Sequence, residues 1–253
     1  MANYDQNSIY GARARTGSMD MSVDQGLRSY MLGIYNYMAA GLAITGVVAY
    51  LTYAMAVVAG PAGEIQLTQF GAAIYTSPLR WVVMLAPLAF VMVLSFGINR
   101  LSAGTTQMLF WAFASVMGLS LSWIFLTFTG ESITQVFLVT AIAFGGLSLY
   151  GYTTKKDLSG WGSFLIMGLI GIIAASIVNL FLQSSALHFA VSVIGVLVFA
   201  GLTAYDTQRL KTEYYVGDSG EIAKKKSIMG ALSLYLNFIN MFMMMLSLFG
   251  QQR

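Results

Sequence analysis

Cysteine is absent from the chain. That absence excludes a disulfide framework, a thiol nucleophile and any thiolate metal site. Histidine occurs once, as His188, so an intramembrane metallohydrolase has no ligand set, because its metal needs several His or carboxylate ligands. Charge is scarce too: 9% of the 253 residues are charged and 57% are hydrophobic. Ordinary soluble domains carry roughly 25% charged residues, and a soluble surface of this composition lacks the charge to stay dispersed. No lysine lies inside the last apolar run, which excludes a retinal Schiff base, and there is no P-loop. Ser148 lies close after Gly145-Gly146, but no glycine follows it, so a rhomboid-type serine protease is not supported. The chain therefore reads as a non-enzyme that uses no cofactor.

What the chain does have is long apolar runs separated by turn-rich gaps. Barrel strands alternate and are about ten residues long, so these runs predict helices. Seven spans are expected near 30–58, 81–99, 107–128, 132–152, 162–182, 187–208 and 229–249. The fold class is an all-α integral membrane protein, a seven-transmembrane-helix bundle. If the amino terminus is cytoplasmic, the inside segments hold 11 of the 13 Lys and Arg residues, leaving Arg80 and Arg253 outside. The positive-inside rule then predicts a cytoplasmic amino terminus and an external carboxyl terminus. An even number of spans would break this asymmetry. The basic excess suits cytoplasmic loops against anionic headgroups, so the lipid bilayer is the expected partner and nucleic acid is not.

Residues 1–27 are polar and mixed in charge, and they read as a disordered cytoplasmic tail ahead of a membrane domain over 28–253. The tail lacks the pattern of a cleaved signal peptide, so the first span is expected to insert uncleaved. The segment 59–80 is expected to be the longest external loop, and 209–228 the longest and most charged internal one. Small residues within spans, such as Gly41, Gly46, Gly145, Gly146, Gly168, Gly171, Gly195 and Gly201, are expected to permit tight helix packing. Met241, Met243, Met244 and Met245 are expected to be packing material.

Asp206 stands apart from the other acidic residues. Nine of the ten lie in the tail or at polar connections, and Asp206 alone directly follows an apolar run, Phe189 to Tyr205. That run is about 17 residues long, close to the width of a bilayer core. A charge in such a place is costly and marks a functional site by default. Asn36, Asn179, Asn237 and Asn240 are the other polar residues buried in apolar runs. Arg100 ends the second span at a depth compatible with Asp206, so an Arg100–Asp206 pair is expected to lower the cost of both charges.

Val193-Ile194-Gly195, Tyr205-Asp206-Thr207-Gln208 and the stretch Leu232-Ser233-Leu234-Tyr235-Leu236-Asn237-Phe238-Ile239-Asn240 together resemble the signature of the Bax inhibitor-1 family. Lys155-Lys156-Asp157-Leu158-Ser159 resembles it as well. Asp24-Gln25-Gly26-Leu27-Arg28 with Tyr35-Asn36-Tyr37-Met38 resembles the bacterial branch. The resemblance implies a seven-helix bundle with its last helix near the centre, and a calcium leak that responds to pH. It also implies two carboxylates sharing a site, latched by an arginine. Asp206 matches the first carboxylate and Arg100 the arginine, with Asn99-Arg100 leaving room for an offset of one residue. Asn237 stands at the second carboxylate position. Two close carboxylates do not both ionise freely, and such a pair senses pH. An Asp–Asn pair has one titratable member, so the pH response is expected to be weakened or moved acidic.

The expected function is thus a calcium-permeable leak channel in a bacterial inner membrane, gated at Asp206, Asn237 and Arg100. Gln208 and Asn240 are supporting polar residues, and Asp206 is a weak, transient contact for calcium. The resemblance also implies an alternative of another class: a regulatory protein that binds other membrane proteins, such as a membrane-bound AAA protease.

Overall fold

The computed structural model describes the backbone of residues 6–60 and 64–253 and the side chains of 25–60 and 64–253. The tail expected over 1–27 lies, for its first 24 residues, outside the residues whose side chains are described. The elements run in the order α1 (Gln6–Ala56), β1 (Val57–Ala59), β2 (Ile65–Leu67), α2 (Gln69–Tyr75), α3 (Leu79–Gly97), α4 (Ala103–Leu121), α5 (Ile124–Thr127), α6 (Gly130–Thr153), α7 (Ser159–Leu182), α8 (Ser185–Thr212) and α9 (Gly220–Phe249). Among the described residues, 7 helices are long and apolar enough to cross a membrane. This is an all-α seven-span membrane protein. Helices form here because a lipid core offers the backbone no other hydrogen-bond partner.

Polar residues at the helix starts close the free amides. The hydroxyls of Ser102, Thr129, Ser184 and Ser219 each accept a hydrogen bond from the backbone N–H three residues on, opening α4, α6, α8 and α9. Such a cap contributes about 1 kcal/mol. The turn between α7 and α8 is made by Gln183, which takes the left-handed conformation at φ 49°.

Two of the expected loops are more ordered than the sequence suggests. The segment 59–80 holds the end of the short β1–β2 hairpin and the helix α2, which Thr68 caps by accepting from Gly71 N–H at 3.0 Å. The internal loop over 209–228 shrinks, because α8 runs on to Thr212 and α9 begins at Gly220. A helix supplies its own hydrogen bonds and need not stop where the apolar run stops.

The last helix is the centre of the bundle. Its apolar stretch is 56% buried, more than that of any other span, and it packs against α8, α1, α6 and α4. Tyr235 on α9 is fully buried and meets Phe110 and Phe113 edge-on. Its hydroxyl lies 2.7 Å from Thr45 Oγ1, which in turn donates to the Ala114 carbonyl at 2.8 Å. One hydroxyl chain thereby joins α9, α1 and α4. Met241 and Met245 are buried in the same core, and Met245 Sδ accepts from Thr140 at 3.4 Å.

Tight packing explains only half of the glycines singled out above. A Cβ at Gly46, Gly145, Gly146 or Gly171 would meet open space, whereas Gly41, Gly168, Gly195 and Gly201 face side chains closely. Between spans, backbones approach closely at Gly118, against Thr45, and at Gly151, where a Cβ would overlap the Ala204 carbonyl. Gly151→Ala is expected to force α6 from α8 and to destabilise the fold by about 1–3 kcal/mol. Gly146→Ala, with nothing near its Cβ, should leave thermal unfolding in detergent unchanged. Equal melting of the two variants would refute the close crossing.

Candidate functional site: Asp206 between the sixth and seventh spans

Asp206 lies near the end of α8, buried at 5% exposure. Burying a carboxylate requires donors for both of its oxygens, and three are present. Asn237 Nδ2 on α9 donates to Oδ2 at 2.7 Å. Ser233 Oγ, one turn earlier on the same helix, donates to Oδ2 at 2.9 Å. Arg209 Nη2 closes on Oδ1 at 2.9 Å and also reaches Ser233 Oγ at 3.3 Å. Asn237 and Ser233 are four residues apart, which places them on one face of α9 opposite the carboxylate. Each residue is ordinary alone, and the spacing makes the site.

The arginine expectation needs correction. Asp206 pairs with Arg209, not Arg100. Arg209 is three residues along the same helix, a separation that brings side chains together without any tertiary arrangement. Arg100 lies in the turn past the end of α3 and is exposed, and among the described residues it forms no ion pair. Arg209 itself is 41% exposed and reaches toward Glu213 Oε1 at 3.6 Å, so it covers the carboxylate from the polar end of the helix.

A cavity of about 680 Å³ opens beside this lid. Ser95 and Asn99 line it from α3 and the turn after it, Arg209 and Glu213 from the end of α8, and Lys225, Lys226 and Ser233 from α9. Asn99 thus faces the cavity that its neighbour Arg100 does not line. The cavity stops at Arg209 and Ser233, the groups that hold Asp206.

The two supporting residues do other work. Gln208 Oε1 accepts from Leu158 N–H at 2.8 Å, and its Nε2 donates to the Lys156 carbonyl at 2.7 Å. It therefore pins the α6–α7 connection to α8. In that connection the Ser159 hydroxyl and backbone N–H hold the exposed carboxyl of Asp157 below its ordinary value. Asn240 donates to the Leu236 carbonyl of its own helix at 2.8 Å. Neither Gln208 nor Asn240 touches Asp206. For calcium, the Asp206 oxygens offer little as they stand, since donors engage both. A cation would have to displace Arg209, and among the described residues no cluster of three or more His, Cys, Asp or Glu could hold a metal.

Two hydroxyl networks were not legible in the sequence. Thr207 Oγ1 donates to the Thr203 carbonyl at 2.8 Å. Its proton being used, Ser148 must donate to it across 3.0 Å and Tyr35 to Ser148 across 2.6 Å. The chain joins α1, α6 and α8 beside Asp206. At the far end of α8, Ser192 donates to the His188 carbonyl at 2.9 Å, and its hydroxyl lies 3.1 Å from that of Ser247. His188 Nε2 and Ser247 Oγ lie 2.7 Å apart, the tautomer of the ring deciding which donates. Ser148 is remote from His188: Thr207 and His188 stand 19 residues apart on α8, about 28 Å at 1.5 Å per residue.

Comparison with known proteins shows the family. Residues 27–253 match the family described as Inhibitor of apoptosis-promoting Bax1. An uncharacterised protein of Caulobacter vibrioides is 49% identical over 251 residues, covering 98% of this chain and 99% of the relative. The inner membrane protein YbhL of Escherichia coli K12 is 48% identical over 231 residues, covering 90% and 94%. Protein RP147 of Rickettsia prowazekii is 44% identical over 245 residues, covering 96% and 98%. With the match running from the start of the first span to the last residue, the chain belongs to the Bax inhibitor-1 family.

Proposed function

We propose that the chain is a multi-pass inner-membrane protein that provides a calcium-permeable leak, closed at Asp206. The end of the bundle that carries Arg100, Lys155, Lys156, Arg209 and Lys211 faces the cytoplasm in this reading, as the distribution of basic residues favours. The cavity beside Arg209 is the cytoplasmic vestibule. Asp206 is the one buried carboxylate among the described residues, and carboxylate oxygens suit hard cations. Arg209 occupies the cation position in the closed state. The leak opens when Arg209 swings into the vestibule and the α8–α9 contact at Asn237 and Ser233 loosens. A single carboxylate is a thin filter, so selectivity among cations is modest. With one titratable member in the pair, flux depends on pH only weakly.

The observation that carries this reading is the buried Asp206, shared between two central helices and covered by a half-exposed arginine at the mouth of a cavity. Calcium entry into dye-loaded liposomes holding the purified protein, between about pH 5 and 8, tests it. Flux is expected in wild type and should fall about tenfold in Asp206→Asn, the equivalent of about 1.4 kcal/mol of lost cation stabilisation. Folded protein that carries no flux in either form would overturn the leak and favour a role in binding other membrane proteins.

A further inference from the structure

A second cavity lies in the wall of the bundle. It measures about 580 Å³ and runs between α1 and α6, lined by Met31, Leu32, Met38, Phe144, Gly145 and Leu149. Its volume is within the range of small-molecule sites, about 300–1,000 Å³. Tyr35 and Ser148 form its polar floor, their oxygens 2.6 Å apart. Arg28 and Tyr152 line it at the end where the spans begin and finish. Lys211 sits on Tyr152 there, with Nζ 2.9 Å from its carbonyl oxygen and 5.1 Å from its ring centroid. The groove therefore has one lining cation, Arg28, at one end, with Lys211 behind Tyr152 there, and only apolar groups at the other.

Its length selects the occupant. From Arg28 to Met38 is ten residues of helix, about 15 Å at 1.5 Å per residue. That is half of a hydrocarbon core about 30 Å thick, one leaflet. A slot one leaflet deep, with cationic groups at headgroup level and an apolar interior, matches a phospholipid. We propose that this groove binds an anionic phospholipid from the leaflet at the basic end. Its phosphate meets Arg28, with Lys211 adding positive charge from behind Tyr152, and one acyl chain lies over Tyr35 and Ser148. Because the hydroxyl chain runs from Tyr35 through Ser148 to Thr207, the bound chain presses on α8 one residue from Asp206. Binding itself does not depend on the leak.

The glycines supply the test. Gly145 lines the groove, and a Cβ there meets nothing within 4 Å, so Gly145→Leu is expected to extend its side chain into the slot. Gly146 is equally open but lies outside the groove, so Gly146→Leu is the matched control. Native mass spectrometry of the full chain, released from detergent with added phosphatidylglycerol or phosphatidylcholine, reads the binding. Phosphatidylglycerol should bind wild type and Gly146→Leu alike and about tenfold more weakly to Gly145→Leu. Arg28→Gln should weaken it about fivefold. Phosphatidylcholine should bind weakly throughout. Equal binding of phosphatidylglycerol to Gly145→Leu and Gly146→Leu would overturn the site. So would equal binding of the two lipids to wild type, or neutral diacylglycerol binding as tightly as phosphatidylglycerol, because either would remove the anionic headgroup from the assignment. A thermal melt of each variant separates lost binding from lost folding.

Discussion

Arg209→Gln is expected to raise calcium leak about tenfold, while Arg100→Gln leaves it at the wild-type level. The reason is the pairing at Asp206. Arg209 Nη2 stands 2.9 Å from Oδ1, so it neutralises the carboxylate and occupies the place a permeating cation would need. If that guanidinium contributes about 1.4 kcal/mol to the barrier, removing it changes flux about tenfold. Stability should fall as well, because Asp206 is left with Asn237 and Ser233 as its donors. Removing one partner of a fully buried pair costs about 3–5 kcal/mol. Arg209 is 41% exposed, and exposed partners contribute less, so a loss of about 1–2 kcal/mol is expected. Arg100 touches neither oxygen, so its replacement should alter neither quantity. Liposome flux and thermal unfolding of the two variants decide the matter. A leak that responds to Arg100→Gln and ignores Arg209→Gln would return the latch to the second span.

Asn237→Asp should convert a weakly pH-dependent leak into a steeply pH-dependent one. The Asn237 amide donates to Asp206 Oδ2 at 2.7 Å. The substitution sets a second carboxylate oxygen where that N–H was. Two unit charges 4 Å apart at an effective dielectric of about 20 repel by about 4 kcal/mol, so the pair stays together only while it shares a proton. The direction follows from linkage. The folded variant retains a proton that the unfolded chain has released, so its stability falls as pH rises. Repulsion then parts α8 from α9 at their closest polar contact, and leak rises with pH. Melting temperature and flux, each measured across the same pH series in wild type and variant, test both halves. A flat profile in the variant would mean that the two side chains do not stay in contact in the membrane.

Other parts of this protein were already decided by the order of its residues. Runs of about 20 apolar residues leave a chain few options in lipid, since each must close its own backbone hydrogen bonds. Seven helices, the centrality of the last one and the cost attached to Asp206 all follow from that constraint and from the family motifs. The side-by-side placement of Asp206 and Asn237 was also legible, because the motifs of α8 and α9 carry it.

Tertiary structure decided the rest, and the physical reason is one of direction. Hydropathy reports how deep a residue lies along the membrane normal, but not which neighbour it faces around the helix axis. Arg100 and Arg209 are both expected at the polar boundary, so depth alone cannot choose between them. Helical spacing favours Arg209, and the packed structure leaves Arg100 outside the cavity. Gly145 and Gly151 look alike in sequence, yet the first opens onto the groove between α1 and α6 and the second lies against the Ala204 backbone. Tyr35, Ser148 and Thr207 come from three different spans, and their hydroxyl chain exists only once α1, α6 and α8 have packed. Depth and helix count belong to the sequence of this protein, whereas facing and contact belong to its fold, because only packing fixes rotation about each helix axis.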